Sequence, residues 1–180
     1  MTAAGLIRLM VELLVLLALC LVLRARGESL REVFALVPVP GATLAGWLAA
    51  FALLVVVEAL LEPILRMPPV RPWEGHYAET GMVIRLVGIV LVAPVVEELI
   101  FRGAAFTRLA RTGLEASGAI AVTAAIFAIL HLQYGSGAVM MILVDGLFYG
   151  LARAKTGSVL VPLLCHMLGN SYAAWERLAG

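Results

Sequence analysis

The sequence predicts an all-α fold, a polytopic transmembrane bundle of about six helices. Three observations predict it. Apolar residues make up 63% of the 180-residue chain and charged residues only 14%, against roughly 45–50% and 25% in a soluble domain. The mean hydropathy is +1.04. The apolar residues also gather into runs near 5–23, 41–61 and 81–101, then shorter ones near 118–133, 137–153 and 158–175. The first three have the length of about 20 residues that crossing roughly 30 Å of hydrocarbon requires. The shorter ones carry Gly, His, Asp and Asn, which suits helices surrounded by other helices.

The first run is followed directly by Arg24 and Arg26, as in a retained anchor. Leu19 before Cys20 is too large for lipoprotein processing. Within that run Arg8 and Glu12 are four residues apart and predict an ion pair. The second run ends at Glu58 and Glu62, which can reach the interface. Segment 62–80 holds four of the eight prolines and reads as an interfacial loop, with Trp73 and Tyr77 at headgroup level and His76 solvated. Residues 1–80 thus form two flanking transmembrane helices with their loop, 81–176 a core rich in embedded polar groups, and 177–180 a short tail.

A net charge of +1 with no Lys/Arg-rich block excludes a nucleic-acid footprint. Cys20 and Cys165 lie in separate apolar runs and read as core thiols rather than a disulfide or a thiolate metal site. Loops after the first, third and fifth helices hold Arg24, Arg26, Arg31, Arg108, Arg111, Arg153 and Lys155. The opposite side holds Arg66, Arg71 and Arg177. Positive charge concentrates on the cytoplasmic side, so both termini are expected outside, with the end of the third helix facing the cytoplasm.

That end reads Val95-Val96-Glu97-Glu98-Leu99-Ile100-Phe101-Arg102-Gly103. An ionised group at the centre of a bilayer costs at least about 2.5–3.5 kcal/mol, so three within six residues imply a function. At about 100° per residue, Glu98 and Arg102 share a helix face and can neutralise each other. Glu97 points away from that face. The structural alternative is that both glutamates pair with arginines for packing alone.

The fourth helix ends Phe127-Ala128-Ile129-Leu130-His131, and the sixth contains His166-Met167-Leu168-Gly169-Asn170. A lone histidine in an apolar helix is more often a packing residue. Here, however, His166 and Asn170 project from one face, and together with Glu97 and His131 they form a constellation across three helices. Pro94 and Pro162 lie within a turn or so of Glu97 and His166 and predict kinks that open polar space beside them. Arg85 and Asp145 have no partner visible in sequence and are expected to pair with each other or with the cluster. Gly146 and Gly150 read as close-packing positions.

In order, these residues fit E-E-x-x-x-R (Glu97 to Arg102), F-x-x-x-H (Phe127 to His131) and H-x-x-x-N (His166 to Asn170). Over residues 81–176 the chain resembles the CPBP family, the type II CAAX prenyl endopeptidases and Abi-like bacteriocin-processing or bacteriocin-immunity membrane proteins. The resemblance implies an intramembrane endopeptidase. Glu97 would activate water with help from His131, His166 and Asn170 would hold the oxyanion, and Glu98 and Arg102 would support them structurally. It implies a peptide or membrane-protein substrate, the lipid bilayer as surroundings, a prokaryotic cell membrane, and an active site toward the cytoplasm. The chain is shorter than the eukaryotic prenyl proteases, which leaves the CAAX substrate open.

The chemistry suits the residue types. Peptide hydrolysis needs a base that works near neutral pH, which desolvation of a carboxyl group favours. It also needs oxyanion donors, each worth roughly 2.7–4 kcal/mol. No obligatory cofactor is expected. A divalent metal such as zinc is the alternative, with Glu97, His131 and His166 as the His₂Glu ligand set. A non-enzymatic immunity or binding protein and a proton-relaying transporter are the other classes, the latter without the inverted repeat that would support it.

Overall fold

A computed structural model describes residues 3–63 and 79–179. The side chain of Arg8, expected beside Glu12, and the loop residues Arg66, Arg71, Trp73, His76 and Tyr77 lie outside the described residues. The fold is all-α, with no strand among the described residues.

Helix α1 (Ala3–Ala25) leads to a single turn, α2 (Leu30–Val33), and then to α3 (Gly41–Leu61). The apolar runs do not reveal this turn, although its signal is present: Ser29 caps it by accepting from the Glu32 amide, in the Ser-x-x-Glu pattern that marks a helix start. Helices α1 and α3 turn apolar side chains outward, including Leu14, Leu21, Leu53, Val56 and Leu60, a surface suited to hydrocarbon rather than water. Helices α3 and α8 are each long and apolar enough to cross a membrane.

The third apolar run becomes a longer helical path than expected, and its backbone changes register twice. It runs as α4 (Glu79–Leu86), a π-helical segment (Val87–Val92), α5 (Ala93–Glu98), a second π-helical segment (Leu99–Ala105) and α6 (Phe106–Leu109). Helix α7 (Glu115–Ile129), a 3₁₀ turn (Leu132–Tyr134), α8 (Ser136–Thr156) and α9 (Leu160–Ala179) complete the chain. Gly157, with φ of 68°, ends α8 in the left-handed conformation that spares glycine the Cβ clash.

Helix α8 packs closely along α7 because it has glycines where they meet. A Cβ on Gly146 would lie 3.2 Å from the Ala124 Cα, and one on Gly150 would lie 3.0 Å from Ile120 Cγ2. Phe51, Tyr149, Ala152, Val161 and Cys165 form a core between α3, α8 and α9. Leu23, Val33, Phe34 and Ala104 form another, where α1 and α2 pack on the second π segment. Cys20 and Cys165 are free thiols.

Arg153, counted from sequence among the loop cations, instead lies buried within α8. Its Nε donates to the Arg102 carbonyl at 3.0 Å and its Nη2 to Thr107 Oγ1 at 3.1 Å, while the guanidinium sits over the Phe106 ring. It therefore ties α8 to the point where the second π segment returns to α geometry.

Candidate active site

Glu97 and Glu98 are the last two residues of α5, just before the second π segment, and both are buried. As the four-residue spacing predicts, Arg102 Nη1 donates to Glu98 Oε1 at 2.9 Å, with neither side chain exposed. Such a pair is stable only where further hydrogen bonds offset the loss of water. Arg102 Nη2 donates to the Gly146 carbonyl at 3.0 Å, and the guanidinium lies 4.7 Å from the Phe127 ring centre. Gly146 thus has a second role: a Cβ there would stand 3.2 Å from Arg102 Nη2.

Glu98 also makes a contact that helical spacing could not reveal. His166 Nδ1 lies 3.0 Å from the same Oε1 that receives Arg102. A carboxylate paired with a guanidinium only accepts, so the imidazole proton sits on Nδ1 and Nε2 faces the other way. What it faces is Glu97, whose Oε2 is 3.6 Å from His166 Nε2.

His131, at the end of α7, approaches Glu97 from the other side. Its Nδ1 lies 2.7 Å from the Phe127 carbonyl, which also only accepts, so Nδ1 carries the proton here too. Its Nε2 is 4.0 Å from Glu97 Oε1. The two oxygens of Glu97 are thus divided between the Nε2 atoms of two histidines from different helices. Phe127 wedges between the rings, 4.7 Å from the His131 ring centre and 5.7 Å from that of His166.

Asn170 lies one turn beyond His166, half-buried, and its Nδ2 donates to the Ile89 carbonyl at 2.8 Å. The reason lies in the first π segment. Ala93 N–H reaches back to the Gly88 carbonyl, and in that register the donor for Ile89 would be residue 94, which is proline and has no N–H. Asn170 supplies the missing donor. One amide proton is used in this way and the second remains for another acceptor.

Asp145 lies within electrostatic range of His166 and Arg102, and Glu58 within range of Asp145. Asp145 Oδ1 and Glu58 Oε1 are buried atoms without a hydrogen-bond partner among the described residues. Among the described residues no group of three or more His, Cys, Asp and Glu side chains is arranged to hold a metal ion.

The site is a buried carboxylate facing two imidazoles inside an apolar all-helical fold. Residues 79–172, more than half the chain, match the family of type II CAAX prenyl endopeptidases, Rce1-like, and the chain belongs to that family of membrane proteases. The three motifs all lie within the matched residues. No curated protein and no solved structure matches the chain.

Proposed function

We propose that this protein is an intramembrane endopeptidase that hydrolyses a peptide bond of a membrane-associated or peptide substrate by glutamate-activated water. The observation that carries the reading is Glu97 facing His131 Nε2 and His166 Nε2 at 4.0 and 3.6 Å. In this reading residues 81–176 form the catalytic core, with 1–80 flanking it and 177–180 as a tail.

Glu97 takes a proton from water, and the hydroxide adds to the scissile carbonyl carbon to form a tetrahedral oxyanion. The C–N bond then breaks as the proton passes from Glu97 to the leaving amine, giving an acid and an amine. His131, its Nδ1 donating to the Phe127 carbonyl, presents Nε2 as an acceptor that orients the water beside Glu97. His166 and the remaining amide proton of Asn170 donate to the oxyanion, each donor worth roughly 2.7–4 kcal/mol. Because Nδ1 of His166 already donates to Glu98, donation from Nε2 requires the doubly protonated ring. Glu98 accepts the Nδ1 hydrogen bond of that ring, and Arg102 holds Glu98 in place.

No obligatory metal enters this scheme. If Glu97, His131 and His166 held zinc, another carboxylate would have to act as base, and Glu98 is committed to Arg102 and His166. Asn170, a weak zinc ligand, fits the oxyanion role better.

Purified protein is expected to cleave membrane-associated peptides, and Glu97→Gln to abolish cleavage while remaining folded. Zinc content well below one equivalent, with activity surviving a strong chelator, is expected. Stoichiometric zinc with activity lost on chelation would make Glu97, His131 and His166 ligands. Cleavage by Glu97→Gln at the wild-type rate would remove the assignment. The centre is further proposed to face the cytoplasm. Single cysteines beside Arg108, Arg111 and Lys155, in a background lacking Cys20 and Cys165, are expected to resist impermeant thiol reagents in intact cells. Labelling from outside would invert the topology.

A further inference from the structure

The hydrogen bond from His166 to Glu98 fixes one ring nitrogen but leaves the plane of the ring undetermined. The imidazole can pivot about that contact and swing Nε2 off its line to Glu97. Tyr149, on α8, closes that freedom. Its ring lies face to face with the His166 ring, centres 5.1 Å apart and planes 20° from parallel.

Tyr149 is itself tightly seated. It is 2% exposed, packs on Phe51 at 5.3 Å between ring centres and lies 5.3 Å from the Arg102 guanidinium carbon. Its hydroxyl lies over Gly169, where a Cβ would come within 3.4 Å of it and within 3.2 Å of Phe51 Cζ. The glycine preceding Asn170 is thus the opening that lets the ring reach His166. The π face is electron-rich, so it favours a flat cation above it, the form His166 takes when both nitrogens donate.

We propose that Tyr149 is a positioning residue for the reaction, setting the plane of His166 so that Nε2 stays directed into the space beside Glu97 where the oxyanion forms. The proposal rests on the assignment of His166 to the chemistry made above. The ring performs this function and the hydroxyl does not, which separates it from a catalytic phenol. No part of the three motifs includes Tyr149, and nothing in its sequence neighbourhood distinguishes it from a core aromatic.

The test compares Tyr149→Phe, Tyr149→Leu and Tyr149→Met in the full chain. Phe keeps the stacked face, whereas Leu and Met fill space without one. Tyr149→Phe is expected to retain the wild-type kcat. Tyr149→Leu and Tyr149→Met are expected to lose up to about a hundredfold in kcat with KM little changed, as displacement of a reacting group by about 1 Å does. An independent readout comes from NMR of protein labelled at its three histidines, with His166 assigned by His166→Gln. The upfield ring-current shift of the His166 ring proton should persist in Phe and vanish in Leu and Met. This readout needs no cleavage, so a wild-type protein that shows the shift but hydrolyses no peptide would count against the protease reading and not against the stacking. Wild-type kcat in Tyr149→Leu, a Tyr149→Phe loss as large as that of Leu, or a kcat loss that only tracks loss of folded protein in both Leu and Met would overturn the proposal.

Discussion

Helix α3 runs 21 residues without a break and buries Phe51 alone, whereas the α4–α6 path changes register twice and buries Glu97, Glu98 and Arg102. Helix α3 satisfies its backbone internally and presents apolar side chains to its surroundings, so little in it depends on any one neighbour. The α4–α6 path is completed from outside. Asn170 on α9 supplies the donor that Pro94 lacks, Arg153 on α8 donates to the Arg102 carbonyl, and Gly146 on α8 accepts from Arg102. A helix that carries charge through an apolar bundle thus depends on particular atoms of other helices. Such π-helical irregularities recur at functional sites.

The comparison breaks most sharply at the buried ion pair. Arg102→Met leaves Glu98 charged and without its guanidinium, and is expected to destabilise the protein by about 3–5 kcal/mol, read as an unfolding shift in detergent. The corresponding change on α3, Leu53→Val on its exposed face, is expected to stay within about 0.5 kcal/mol. An Arg102→Met protein as stable as wild type would show that the pair is not what holds α5 in place.

Much of this site was legible in the sequence, though unevenly. The Glu98–Arg102 pair follows from four-residue spacing alone, and each of the six apolar runs falls on a long helical stretch among the described residues. The meeting of Glu98 with His166 was not legible, because the two are 68 residues apart and helical periodicity describes only one helix at a time. The π segments were hidden as well. Backbone register leaves no trace in an apolar run, and Pro94 signals a kink without naming what replaces its hydrogen bond. Arg153 was misplaced because a cation near a helix end reads as solvated until its partners are seen.

The Asn170 clamp sharpens the comparison at a smaller magnitude. Asn170→Ala leaves the Ile89 carbonyl without its donor and is expected to cost about 1–3 kcal/mol. In a Pro94→Ala background, which restores a backbone N–H at the position able to reach Ile89, the same change should cost less. Strict additivity in this double-mutant cycle would show that the two residues do not share the carbonyl.

Gly146→Ala should act through crowding. Its methyl group would press on the Ala124 backbone and on Arg102 Nη2, both at 3.2 Å, and such overpacking typically costs about 1–3 kcal/mol. Its effect should be smaller when Arg102 is already methionine, because the contact with Nη2 is then gone while those with Ala124 remain. Equal losses in both backgrounds would place the strain wholly at Ala124.

The central claim is that two adjacent glutamates have separate tasks, Glu97 facing the chemistry and Glu98 holding the structure. The most direct measurement is the cleavage rate and the unfolding midpoint of Glu97→Gln and Glu98→Gln, read on the same preparations. Glu97→Gln is expected to lose turnover while unfolding close to wild type. Glu98→Gln is expected to unfold at a markedly lower temperature, because Arg102 is left without its countercharge, with activity falling alongside. The reverse pattern, a stable and inactive Glu98→Gln beside an active Glu97→Gln, would contradict the division of roles.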